Sequence, residues 1–249
     1  SIADNYYLND LNLAQSELNN YFSRGGQSVV DLTVRAIGRD PLGLYQISRL
    51  TGINIIMGTG WYVPDFHPID MDSRTVDSLV RELVKEICIG VDSTFIRAGI
   101  IGEIGIKDGF LSQNEIKIIQ AVSQASIATG ISISFHYGGT GRERFKLLDI
   151  IRNEGCPTDR IILGHSDLIA GDLDLILELL EYGIYIQFDL LGRVGAHLMI
   201  EASDSSNPWP SYLNTSSTAL VSKVLPTLIS YGYADRILLS QDVCTKIQL

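Results

Sequence analysis

The chain has 249 residues, 45% hydrophobic and 19% charged, a balance that excludes a disordered chain and suits one large domain whose strands are buried on both faces. Its net charge is −10, with 19 basic residues scattered rather than grouped, so nucleic acid and anionic membrane are excluded as partners and a small neutral substrate is favoured. No apolar run approaches the roughly 20 residues that span a bilayer, and SIADNYYLND has no signal-peptide pattern, which sets the expectation of a soluble cytoplasmic protein.

In chain order, residues 8–22 carry helical periodicity and 28-SVVDLT-33 reads as a strand. The alternation then repeats without a linker. Helices are predicted over 41–51, 74–89, 112–129, 143–154, 172–182 and 215–231. Strands are predicted at 53-INIIMGTG-60, 94-TFIRAGIIGEIG-105, 131-ISISFH-136, 160-RIILGH-165, 184-IYIQFD-189 and 236-RILLSQD-242. The helix after the acidic loop is expected to open at Ser73 and Arg74, and the next to open on a capping box, Ser112 with Glu115. Gly52, Gly90, Gly130, Gly155, Gly183 and Gly232 fall just past periodic runs, where a left-handed residue closes a helix.

Strict βα alternation implies a parallel sheet, closed as a (β/α)8 TIM barrel or open and doubly wound. Seven strands, with a helix first and a strand last, are one strand and one helix short of eight of each. The expectation is a single barrel domain over residues 1–249 that lacks its first strand and last helix in this chain.

In such a barrel every strand ends at the same mouth, and active sites are built there. The polar endings are Asp31, Thr33, Thr59, Tyr62, Glu103, His136, His165, Asp189 and Asp242. Imidazole nitrogens and carboxylate oxygens together form the donor set of a hydrolytic divalent metal site. Glu103, inside the apolar run AGIIGEIGI, is hard to place without such a role, because a buried carboxylate needs a partner. A lone histidine at a strand end is more often structural, but two on successive strands shift that balance. Asp189 reads equally as a group orienting a ligand or as a structural one, and Asp167 as orienting the site or closing a turn.

The three cysteines, Cys88, Cys156 and Cys244, lack metal or disulfide spacing and read as reduced thiols. The segment 137-YGGTGRER-144 lacks a phosphate-loop ending and reads as a mouth loop. His67, in PDFHP, reads as a loop residue near the mouth. Residues 192–214, with His197 and Trp209, read as a lid or substrate loop, or equally as an ordered spacer.

The segments GRDP (38–41), TGINIIMGTGWY (51–62), RAGIIGEIG (97–105), ATGISISFH (128–136), RIILGHSD (160–167) and DRILLSQDVC (235–244) together resemble the phosphotriesterase family of the amidohydrolase superfamily. The glutamate at 103 resembles its phosphotriesterase homology subgroup, where other members carry a carboxylated lysine. The resemblance implies a distorted barrel with two divalent metal ions, often zinc, bridged by hydroxide that attacks an ester-type bond. It implies metal ligation by Glu103, His136, His165 and Asp242, with Asp242 and Glu103 catalytic, and an additional His-x-His pair on a first strand that this chain does not show. It further implies substrate contacts from Tyr62 and from Arg193, and a homodimer. The activity it favours is hydrolysis of a lactone or carboxylic ester, with phosphotriester cleavage as a side reaction. The alternative is a non-catalytic, metal-deficient barrel that binds a small ligand or partner.

Overall fold

The computed structural model describes residues 3–107, 109–137, 141–192 and 217–249. Seven strands alternate with seven helices: α1 (Leu11–Ser23), β1 (Ser28–Asp31), α2 (Pro41–Thr51), β2 (Asn54–Thr59), α3 (Val76–Cys88), β3 (Ile100–Ile106), α4 (Gln113–Thr129), β4 (Ile133–Tyr137), α5 (Arg144–Asn153), β5 (Ile161–Leu163), α6 (Leu173–Glu181), β6 (Tyr185–Phe188), α7 (Ser217–Ser230) and β7 (Ile237–Leu239). Every strand pairs in parallel with the next, in the order β1 to β7. The sheet curls, with its helices, as a TIM-type barrel sheet does, and β1 and β7 are its edges among the described residues. The curl brings the first and last turns together, since the Ile247 amide donates to Asn5 Oδ1 at 2.9 Å.

The local chemistry explains where elements begin and end. Asp40 accepts from the Gly43 amide at the start of α2, with Pro41 in the first turn, and Gly52 ends that helix at φ 75°. The α4 capping box forms as read, Ser112 with Glu115. Two expectations need correction. Helix α3 opens on Thr75, whose side chain makes a capping box with Ser78, because the residues Met71–Ser73 wind instead into a separate 3-10 turn. Strand β3 begins at Ile100 rather than at 94, because Asp92 and Ser93 adopt positive φ and turn the chain before it can extend.

The core lies between sheet and helices. Its strand contribution comes from Ile101, Ile104, Ile133, Phe135, Ile161, Leu163, Ile186 and Phe188, its helix contribution from residues such as Leu79, Leu83, Ile118, Val122, Leu147 and Ile176. Within β3 every residue is buried except Glu103, and within β4 every residue is buried except His136. The positions that interrupt the apolar runs are therefore those that reach the mouth. No described helix is long and apolar enough to cross a membrane.

Candidate metal centre

Glycines allow β3 to present Glu103. A Cβ on Gly102 would sit 2.6 Å from the Ser134 carbonyl oxygen, and one on Gly58 would sit 2.1 Å from the Gly102 carbonyl oxygen. One on Gly105 would meet the Val63 amide nitrogen at 2.2 Å. Only bare backbone fits at these three places, so β2, β3 and the loop carrying Tyr62 pack at backbone contact around the glutamate. The Glu103 amide donates to Leu32 O at 2.9 Å, which fixes the peptide from its other side.

His165 follows β5 in the left-handed conformation, at φ 51° and ψ 33°. A histidine tolerates this better than a β-branched residue would. Gly164 before it leaves no room for a side chain: a Cβ there would meet Phe135 O at 2.8 Å and Asp189 Oδ2 at 3.3 Å. Asp189 then grips the residue twice. Its Oδ2 accepts from the His165 amide at 3.0 Å and its Oδ1 lies 2.7 Å from His165 Nδ1. Asp189 is itself held, since its amide donates to Asp167 Oδ2 at 2.7 Å and Gln187 Nε2 donates to its Oδ2. Asp167 is fully buried and also accepts from the Leu190 amide, so its side chain helps to orient the site through Asp189.

The result is a convergence of three donors. Glu103, His136 and His165 each offer one ligand atom within 4.8 Å of the others. Glu103 Oε1 is 3.2 Å from His136 Nδ1 and 3.6 Å from His165 Nε2, and the two ring nitrogens are 2.7 Å apart. The Asp189 carboxylate requires a proton on His165 Nδ1, which turns Nε2 towards the cluster. Burial would lower the His165 pKa, but the Asp189 hydrogen bond and the fields of Asp189, Glu103 and Asp242 outweigh it and raise it to about 9. Burial pushes Asp189 up, while its bonds to His165 and Gln187 bring it below the ordinary carboxylate value.

Three carboxylate and imidazole donors aimed at one point, one of them oriented by a buried carboxylate, match the donor chemistry of a divalent cation. The arrangement fits a divalent ion, of which the sequence led us to expect two. A proton and a cation compete for the His165 Nε2 lone pair.

Tyr62 closes one side of the cluster. Its hydroxyl lies 3.3 Å from both His136 ring nitrogens, with ring centroids 4.8 Å apart, and Phe66 packs edge-on against it at 5.6 Å. Burial, followed by the fields of Glu103 and Asp242, raises its pKa, so the phenol stays protonated and can donate. His67 supports this loop, with Nε2 2.8 Å from Tyr62 O, and burial lowers its pKa.

Asp242 is not one of the three converging residues. It sits beyond them at φ 44°, partly buried, with Cys244 Sγ 3.8 Å from its Oδ2, near enough for its charge to act on both Tyr62 and His165. Arg193, together with His197 and Trp209, lies outside the described residues, as do residues 138–140 of the Gly-rich segment. Among the described residues Cys88, Cys156 and Cys244 form no disulfide.

One cluster beside the centre was not foreseen from the sequence. Arg39 and Glu86 form a forked ion pair, with Nη1 to Oε2 at 2.9 Å and Nη2 to Oε1 at 3.1 Å, and Asp92 and Arg35 extend it. Its bonded partners lie 47 to 57 residues apart, beyond the reach of any local pattern.

Comparison with known proteins follows the same lines. The model of the "Phosphotriesterase family" matches residues 3–249. An N-acetyltaurine hydrolase of Dictyostelium discoideum is 34% identical over 245 residues, covering 98% of this chain, which spans 64% of that relative's length. The crystal structure of the Escherichia coli phosphotriesterase homology protein, with phosphate in its active site, superposes with a TM-score of 0.84 at 30% identity, over 98% of this chain and 77% of the other. A variant of the PTE-like lactonase of Deinococcus radiodurans superposes with a TM-score of 0.79 at 28% identity, over 93% of this chain and 68% of the other. With a curled parallel sheet, a Glu-His-His mouth and a family match running nearly from end to end, the chain belongs to the phosphotriesterase family.

Proposed function

We propose that the protein is a metal-dependent hydrolase that cleaves a carboxylic acyl bond. The observation that carries this reading is the convergence within 4.8 Å of Glu103 from within β3, His136 from near the end of β4 and His165 from just after β5. Those three side chains would hold a divalent ion, zinc by donor type, and Asp242 stands near enough to complete or extend the site. When bound, such an ion supplies Lewis acidity, polarising the acyl oxygen and acidifying water.

The chain's own residues supply the rest. The Tyr62 hydroxyl, kept protonated by burial, donates a hydrogen bond over the donor cluster where the acyl group would lie. Asp242 accepts the proton released as water adds to the acyl carbon, and passes it to the departing oxygen or nitrogen as the C–O or C–N bond breaks. Asp189 keeps the His165 ring in one tautomer throughout. Arg193, which follows β6 in sequence, is proposed to contact substrate.

Two acyl classes are favoured by different relatives. The Dictyostelium relative's name supports a small N-acyl amide such as N-acetyltaurine, while the Deinococcus lactonase and the Tyr62 position support a lactone or ester. Metal analysis of the full-length protein, followed by assay with N-acetyltaurine, a γ-lactone and simple carboxylic esters, decides between them. Glu103→Gln is expected to lower kcat/KM on the preferred substrate by about 10²-fold or more, the scale of losing one charge-stabilising group. A purified protein that holds no divalent metal and hydrolyses none of the three classes would be a binding relative, and the proposal would fall.

A further inference from the structure

We infer that the buried Arg39–Glu86 ion pair is a positioning device for Glu103, holding both flanks of the backbone that presents it. The inference rests on the hydrolase reading for the purpose of Glu103, and on the geometry for the rest. The Arg39 side chain is 1% exposed and the Glu86 side chain 8%, yet neither touches the donor cluster. Two charges taken so far out of water stabilise a fold poorly compared with apolar residues of the same size, so their placement calls for a geometric reason.

That reason is visible on each side of Glu103. On one side, residues 32–39 run from β1 towards α2, and Leu32 O accepts the Glu103 amide. Arg39 ends this run and anchors it by the forked pair to Glu86 on α3. On the other side lies the end of β2. Arg39 Nη1 donates to Gly58 O at 3.2 Å, and the Thr59 hydroxyl donates to Glu86 Oε2. Gly58 abuts the Gly102 carbonyl, and Thr59 pairs in register with Gly102, the residue before Glu103.

One ion pair thus fixes the loop that receives the Glu103 amide and the strand end that packs on its preceding peptide. A guanidinium fork can hold a carboxylate and a carbonyl at once in a fixed plane, which an ammonium cannot. Asp92 and Arg35 close the outer side of the pair, with Arg39 Nη2 to Asp92 Oδ2 at 3.0 Å. Arg39 and Glu86 act through the backbone of Glu103 and are positioning residues, not catalytic ones.

The test uses the full-length protein and the double variant Arg39→Met/Glu86→Leu, which removes the pair without leaving a lone buried charge. Zinc affinity by chelator competition is expected to fall about 10- to 100-fold, as for loss of groups that orient a ligand. kcat should fall with it while KM stays near the parent value. Amide exchange at Glu103 should quicken in the metal-free protein, with β4 to β6 unchanged. Thr59→Val removes only the hydroxyl bond to Glu86 and should show the same pattern more weakly; it decides the matter if the double variant does not fold. Arg39→Lys, with charge but no fork, should not restore affinity.

Parental zinc affinity and parental Glu103 exchange in the folded double variant, or in Thr59→Val where that variant alone folds, would overturn the inference and leave the hydrolase reading intact. A parent that binds no divalent metal and hydrolyses none of the three substrate classes would overturn the hydrolase reading, and the Glu103 exchange rate would still decide the positioning role.

Discussion

At the residue scale, Asp189 decides what His165 can do. A buried carboxylate on Nδ1 sets both the tautomer and the direction of Nε2, and the amide of His165 binds the same carboxylate, so ring and backbone are placed together. Asp189→Asn keeps the shape but offers a weaker acceptor. It should lower metal affinity about 10- to 100-fold with little loss of secondary structure, as read by chelator competition and circular dichroism. Unchanged affinity would mean that packing alone orients the ring. Gly164→Ala should act differently. The new methyl would press on Phe135 O and Asp189 Oδ2 and is expected to cost about 1–3 kcal/mol of stability in denaturant unfolding. Of these residues, His165 and Glu103 were legible as polar interruptions of apolar strands. The grip of Asp189 was not, because its partner lies 24 residues away on another strand.

At the scale of the element, the helix entries carry information about the mouth. Glu115 is almost fully buried at the start of α4, where its carboxylate accepts from the Ser112 amide and from the Lys107 amide, both at 2.8 Å. One side chain thereby caps α4 and ties it to the residue that follows β3, two positions beyond Gly105, the register partner of His136. Ser112→Ala removes one cap and should cost about 1 kcal/mol. Glu115→Ala takes the acceptor from two part-buried amides and should cost more than Ser112→Ala, about 1–3 kcal/mol in all. Thermal unfolding of the two variants checks the order; equal losses would show that water replaces the carboxylate. The capping box was readable because it is local. The Lys107 bond was not, and neither was the N-cap of α3 at Thr75, because the 3-10 turn over Met71–Ser73 takes up the residues where the opening was expected.

At the scale of the molecule, the charge network around Arg39 links the loop after β1, the end of β2 and α3. Burial pushes the Asp92 carboxyl up, but its bonds to Arg35 and Arg39 more than offset this and hold it below the ordinary value of 3.8. A carboxyl depressed on folding contributes stability that is present above its unfolded pKa and is lost as pH falls through its folded one. The protein should therefore lose stability below about pH 4, and Asp92→Asn should remove part of that acid sensitivity while lowering stability at neutral pH. Denaturant midpoints between pH 3 and pH 7 measure both effects, and identical slopes for parent and variant would contradict the assignment.

What the sequence determined by itself was the alternation. Apolar strand runs, amphipathic helices, glycine stops and caps are local signals, and they were enough for seven parallel strands in sequential order and for the idea that their polar ends meet. The tertiary structure decided which of those ends converge. It set Glu103, His136 and His165 within 4.8 Å, left Asp242 acting from beyond them through its charge, and placed Arg39 against Glu86. The physical reason is that curvature and register fix distances between side chains tens of residues apart. Backbone contact at Gly58, Gly102 and Gly105 sets that register, and a single chain read in one dimension carries no measure of it.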